Sequence, residues 1–197
     1  LAYEAGPVGR PIATITFAFD YLIGGKSPFQ FKVTNLLIHL VNTALIFAIV
    51  SRLLVLAAVN RQRIYLGSAV IAALWATHPL QISTVLYVVQ RMEMLATMFL
   101  LLGLLAYLRG REIQQTSGGG WAWIVASLPL ALIGVFAKES AILFPLFALA
   151  LELSIFRFRA TNPTDSSTLK WLHASAIALG ALLFFAVILP RFGSPES

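Results

Sequence analysis

Residues 31–56 read FKVTNLLIHLVNTALIFAIVSRLLVL, and this run decides what kind of protein the chain makes. A helix needs about 20 mostly apolar residues to cross the ~30 Å hydrocarbon core of a bilayer. The run supplies them, and its ions, Lys32 and Arg52, stand near its two ends. Asn35, His39, Asn42 and Thr43 recur at helical spacing and share one face. In a membrane helix such a stripe turns to protein or water, not to lipid. Its commonest use is packing against other helices.

The rest of the chain has the same character. Hydrophobic residues make up 59% of the 197, charged residues 11%, and the mean hydropathy is +0.85. A soluble domain carries about 25% charge. That much apolar surface cannot be hidden in a soluble fold of this length, and only helices or closed barrels cross lipid. The expected fold is all-α: a polytopic bundle of about six membrane helices with an interfacial helix before them. Residues 1–30 are expected to form an outer-side loop containing that helix at 12–23, with a plain surface loop as the alternative. Residues 31–190 form the transmembrane domain, and 191–197 open a further outer loop. The chain begins without Met and lacks a signal-peptide pattern, so it is expected to be an internal piece of a longer protein.

Beyond residue 56, the run 64–77 gives only about 21 Å of helix. His78-Pro79 should therefore end it inside the outer half of the bilayer, with Pro79 breaking the helix. The chain is expected to return as one helix over 81–111, turn at Gly118-Gly119-Gly120, and rise from Trp121 to Ala137. It should bend at Lys138-Glu139-Ser140, descend over 141–156, and rise again over 169–189. One face of this path collects eight basic and three acidic residues, Arg61, Arg109 and Arg157 among them. The other collects six basic and five acidic. The first face is expected to be cytoplasmic. The +6 net charge thus reads as a topology signal, not as a nucleic-acid surface. Cysteine is absent, which excludes disulfides and thiolate metal sites. Neither a phosphate-binding glycine loop, a nucleophile elbow nor a zinc-protease motif occurs.

An ion in lipid costs roughly 3 kcal/mol even on the lenient insertion scale, so intramembrane charges are candidates for function. Three clusters fall on the expected outer side. Arg10, between Gly9 and Pro11, offers a fork that matches a phosphate. His78 and Gln81 lie at the bend, with Arg91 and Glu93 on the returning helix. Arg91 and Glu93 are two apart and point to different faces, so each is expected to find a partner on another helix. Lys138 and Glu139 stand at the apex of a helical hairpin, where Lys138 would add to the positive end of the descending helix. Each cluster also has a plainer use: headgroup contact for Arg10, capping for His78, interhelical pairing for Glu93, snorkelling for Lys138. With three histidines in the chain, no credible metal site is expected.

Gly9-Arg10-Pro11, Phe17-Ala18-Phe19-Asp20-Tyr21, Thr34-Asn35-Leu36-Leu37-Ile38-His39-Leu40, His78-Pro79-Leu80-Gln81, Arg91-Met92-Glu93 and Ala137-Lys138-Glu139-Ser140 occur in this order. Together they resemble the transmembrane and tetratricopeptide-repeat-containing (TMTC) protein O-mannosyltransferases and their bacterial relatives, of the GT-C fold. The resemblance covers nearly the whole chain. It implies a polytopic enzyme that takes a sugar from a polyprenyl-phosphate carrier on the outer side of the membrane. The acceptor it implies is a protein hydroxyl. It implies an inverting displacement, with Lys138 and Arg91 holding the carrier phosphate and Arg10 and His78 assisting. The acidic catalytic motif of such enzymes would lie upstream of Leu1, and neither Glu4 nor Asp20 sits in one. The catalytic base is therefore unassigned, and a divalent cation is left open. A transporter or lipid flippase, and a non-catalytic membrane scaffold, are the competing readings. The absence of glycosylation sequons points to a bacterial inner membrane with the site on the periplasmic side; an endoplasmic reticulum membrane is the alternative.

Overall fold

The computed structural model describes residues 10–183, and among these every regular element is helical. Helix α1 is Pro11–Gly24, α2 Pro28–Leu56, α3 Arg61–Ala76 and α4 Pro79–Leu86. A 3₁₀ turn, Val88–Gln90, leads into α5, Arg91–Thr116, which is followed by α6, Trp121–Ala137. A second 3₁₀ turn, Glu139–Leu143, opens α7, Phe144–Leu151. A π turn, Glu152–Phe156, ends it before α8, Pro163–Leu183. The expected last helix, 169–189, lies partly outside the described residues.

Among the described residues, three segments are long and apolar enough to cross a membrane: Pro28–Leu56, Val88–Thr116 and Glu139–Phe156. The pair α3 and α4, bent by 60°, counts as a fourth if taken as one span. The all-helical, membrane-type chain is thus observed; the described residues give three or four such spans of the about six expected. Large apolar side chains face outward where lipid would lie, including Leu22 at 82%, Phe29 at 74% and Leu66 at 68% exposure. On a soluble surface, apolar exposure this extensive would drive association.

Helix α5 is the centre of the bundle. It pairs closely with α6 and more loosely with α2, which in turn carries α3. Two buried clusters result. One gathers Ile49, Leu104, Leu108, Ile124, Phe144 and Phe156; the other gathers Ala13, Ile38, Met94, Leu95, Ala137 and Ala141. The α5–α6 hairpin closes through small residues. A Cβ on Gly110 would stand 2.8 Å from the Gly120 carbonyl oxygen and 3.0 Å from the Ile124 nitrogen. Gly120 itself holds φ 97°, which only glycine adopts readily.

The bend after α3 follows its sequence. His78 Nδ1 accepts from the Leu80 N–H at 3.3 Å, and Pro79 occupies the first turn of α4, where its missing N–H costs nothing. The returning chain is not the single helix expected over 81–111. It breaks at Tyr87, which is extended (φ −86°, ψ 115°). Asn35 Nδ2 on α2 donates to the carbonyls of Val85 and Tyr87, at 3.1 and 3.3 Å, and so stabilises the unwound backbone. The polar stripe of α2 is a packing device in the same way. Asn42 Nδ2 donates to the Met94 carbonyl at 2.9 Å, and His39 Nε2 pairs with the Ala76 carbonyl at 3.1 Å while its ring stacks on Trp75.

Candidate functional site

At the end of the bundle where α5 begins and α6 ends, three stretches of chain converge. Lys138 leaves α6 in an extended conformation (φ −161°, ψ 149°). The segment after it is a short 3₁₀ turn, not the start of a regular helix, so Lys138 does not reinforce a helix N-terminus as its position suggested. Its Nζ reaches back to Glu93 Oε2, in the first turn of α5, at 2.6 Å. Beside this pair, Arg10 Nη2 lies 3.4 Å from Glu139 Oε2, and Arg10 Nη1 lies 3.2 Å from Met92 Sδ. Both ion pairs are partly open: the side chains of Lys138 and Glu93 are 35% and 36% exposed, those of Arg10 and Glu139 25% and 43%. Two cations and two carboxylates therefore form one polar rim.

One member of the rim, Glu93, also lines an apolar cleft of about 300 Å³, together with Ser140, the residue after Glu139. Glu93, Ser140 and Thr97 lie at its polar side, and Trp75, Leu100, Leu104 and Phe147 line its depth. Charge above and hydrocarbon below is the pattern that suits an anionic headgroup on a long apolar chain. Open ion pairs of this kind contribute little to stability, roughly 0–1 kcal/mol each, so exchanging a carboxylate for another anion is inexpensive.

The other expected site residues lie elsewhere. Arg91 is fully buried, and all three of its nitrogens are engaged inside the protein. Its Nε donates to Asn35 Oδ1 at 2.8 Å, Nη1 to the Thr16 carbonyl at 3.2 Å, and Nη2 to the Phe31 carbonyl at 2.8 Å. Nη2 also lies 2.5 Å from Asp20 Oδ2. The rings of Phe17 and Phe31 flank the guanidinium, with centroids 4.6 and 5.6 Å away. The expectation that Arg91 holds a carrier phosphate is corrected: it ties α1, α2 and α5 together and presents no open donor. His78 is exposed, and the one hydrogen bond of its side chain among the described residues is the cap of α4. Gln81 lines a separate cavity of about 290 Å³ with His39, Leu36 and Ile82. Of the seven expected residues the structure thus unites Arg10, Glu93, Lys138 and Glu139, and sets Arg91, His78 and Gln81 apart from them.

Two polar assemblies were not anticipated. One is the Asp20–Arg91–Asn35 group, in which Asp20 also accepts from Thr34 Oγ1 at 2.7 Å. Its only sequence signal is that buried ions need partners. The other lies at the opposite end. There Glu152, fully buried in the π turn, accepts from Tyr107 Oη at 2.7 Å, from Arg111 Nε at 2.5 Å and Nη2 at 3.1 Å, and from the Phe158 N–H at 3.0 Å. Arg111 Nη1 reaches Gln114 Oε1 at 2.6 Å, and His173 of α8 stands 3.4 Å from the Tyr107 hydroxyl. This knot fastens the α7–α8 connection to α5.

No family model matches the sequence, and no solved structure matches it. Curated proteins do. The protein O-mannosyl-transferase Tmtc2 of Drosophila melanogaster is 36% identical over 141 residues, 68% of this chain and 14% of that protein. The protein O-mannosyl-transferase tmtc2 of Xenopus laevis is 25% identical over 185 residues, 91% of this chain and 21% of that protein. The protein O-mannosyl-transferase TMTC4 of Homo sapiens is 30% identical over 141 residues, 68% of this chain and 19% of that protein. The chain therefore spans about a fifth or less of the length of these relatives.

Proposed function

We propose, from the premise that this chain is TMTC-like over most of its length, that it is part of a membrane glycosyltransferase acting on protein. The sugar is mannose, as the names of its relatives suggest, and the acceptor is a protein hydroxyl. The donor is a polyprenyl-phosphate sugar, bound with its phosphate at the rim of Arg10, Glu93, Lys138 and Glu139 and the first units of its chain in the cleft below. The observation that carries this reading is the partly open Lys138–Glu93 pair, whose carboxylate residue lines an apolar cleft.

In the reaction the acceptor oxygen attacks the anomeric carbon as the bond from that carbon to the phosphate oxygen breaks. The electron pair of the broken bond leaves on the phosphate, and the proton of the hydroxyl passes to a carboxylate base. Negative charge therefore grows on the phosphate, and cations placed against it lower the barrier. Lys138 supplies such a cation once phosphate oxygens replace Glu93 on its ammonium, and Arg10 supplies a second by the same exchange with Glu139. No residue of this chain is assigned as the base. The site is placed on the outer face, as the charge asymmetry of the chain supports. In a bacterial cell that is the periplasmic face of the inner membrane; in an endoplasmic reticulum membrane it is the lumenal face.

The test is Lys138→Met in the full-length protein. Mannosyl transfer from a polyprenyl-phosphate donor should fall to background. The melting temperature should stay close to that of the parent, because an exposed pair contributes at most about 1 kcal/mol. Turnover at the parent rate would remove the assignment.

A further inference from the structure

A sizeable cavity lies at the other end of the bundle, away from the proposed transfer site. It measures about 790 Å³ and lies between the last turns of α2, the first turn of α3 and the last turn of α5. It exists because α3 packs mainly on α2, which leaves the flank between α3 and α5 open. Phe47, Val55, Leu56, Ile64 and Tyr65 wall it, so its depth is apolar. Along α2 it runs from Phe47 to Leu56, about 14 Å of helix, enough for the greater part of an acyl chain.

Its rim is cationic. Arg52 Nη1 lies 2.7 Å from Glu112 Oε2, and Arg109 Nη1 lies 3.5 Å from the same oxygen, so one carboxylate serves two guanidiniums. Arg61 also lines the cavity and is exposed without an ion-pair partner among the described residues. Three guanidiniums against one carboxylate leave unneutralised positive charge above an apolar slot. Tyr65, 60% exposed at the same place, puts an amphipathic ring where headgroups begin.

The geometry points to a binding site for an anionic glycerophospholipid, its phosphate at Arg61 and Arg52 and one acyl chain in the cleft. A free inorganic anion has no use for the apolar walls. A neutral lipid leaves the arginines without a counter-charge, and an apolar helix of another protein would bury them unpaired at high cost. Cytoplasmic leaflets carry the anionic lipids, and this is the arginine-rich end that the charge rule assigns to that side. The site is independent of the transferase reading and stands or falls separately.

The full-length protein, purified in mild detergent and offered equal phosphatidylglycerol and phosphatidylcholine, should retain phosphatidylglycerol in native mass spectra. Retention should weaken about 30-fold in Arg52→Ala/Arg61→Ala, the ratio that two arginines facing an anionic headgroup represent. Equal retention of the two lipids, or parent-level retention by the double variant, would overturn the proposal. A second arm keeps the arginines: a photoreactive benzoylphenylalanine in place of Val55, irradiated in phosphatidylglycerol-containing membranes. An adduct to lipid supports the site, and an adduct to another protein segment shows that a helix fills the cleft and ends it.

Discussion

Arg91 and Lys138 are both cations in a chain built for lipid, yet their surroundings assign them opposite work. Arg91 spends its donors on Asn35, Asp20 and two backbone carbonyls, and has no exposed surface left. Lys138 has one open partner, Glu93. Removing one member of a buried ion pair strands the other, at about 3–5 kcal/mol. Arg91→Met and Asp20→Asn should each destabilise the full-length protein by that order. The two together should cost clearly less than the sum, because neither ion is then left unpaired. Thermal unfolding in detergent measures this, and additive losses would mean that the two groups do not act as a pair. The sequence marks Arg91 and Asn35 as polar groups in need of partners. It does not reveal that they meet each other and Asp20, because the three lie on different helices. The rule that intramembrane ions are functional fails for Arg91 because its surroundings are protein, where pairing alone accounts for the charge.

The elements were legible to differing degrees for physical reasons. Residues 31–56 carry an uninterrupted apolar period and emerged as α2, Pro28–Leu56. Residues 81–111 carry the same kind of signal but break at Tyr87, where Asn35 of another helix donates to the carbonyls of Val85 and Tyr87. That contact is tertiary and leaves no local mark. The α5–α6 hairpin depends on closeness at Gly110, where backbone atoms of Gly120 and Ile124 leave no room for a side chain. Gly110→Val should therefore cost at least the ~1–3 kcal/mol of an overpacked core, since the obstructing atoms are backbone and cannot swing away. Circular dichroism melts would show it, and an unchanged midpoint would contradict the close approach. At the arginine-rich end, Glu152→Gln keeps the shape of the side chain but leaves Arg111 without its counter-ion. The loss should again approach about 3–5 kcal/mol and should loosen α8 first, since the Phe158 N–H and the Tyr107 hydroxyl beside His173 hang on the same carboxylate. Proteolysis in the loop after Phe156 should accelerate accordingly.

At the scale of the whole molecule, the two ends of the bundle carry different charge, and that asymmetry sets which end faces which compartment. Arg52, Arg61, Arg63, Arg109 and Arg157 crowd the end where α2 and α5 finish, while the other end balances Lys138 and Arg10 with Glu93 and Glu139. Basic residues near membrane helices resist translocation more than acidic ones assist it, so the arginine-rich end should stay in the cytoplasm. These 197 residues contain no cysteine, so each replacement introduces a single thiol into them. Ser27→Cys and Ser83→Cys, both exposed and at the balanced end, should react with a membrane-impermeant maleimide added outside intact cells or vesicles. Gly118→Cys and Arg159→Cys, exposed at the arginine-rich end, should react only after permeabilisation. The same four positions also bear on the number of crossings, because an even count between Ser27 and Ser83 is needed for both to label from one side. Labelling of Gly118→Cys from outside would invert the molecule. It would place the rim of Lys138 and Glu93 in the cytosol and remove the outer-face donor site from the proposed reaction.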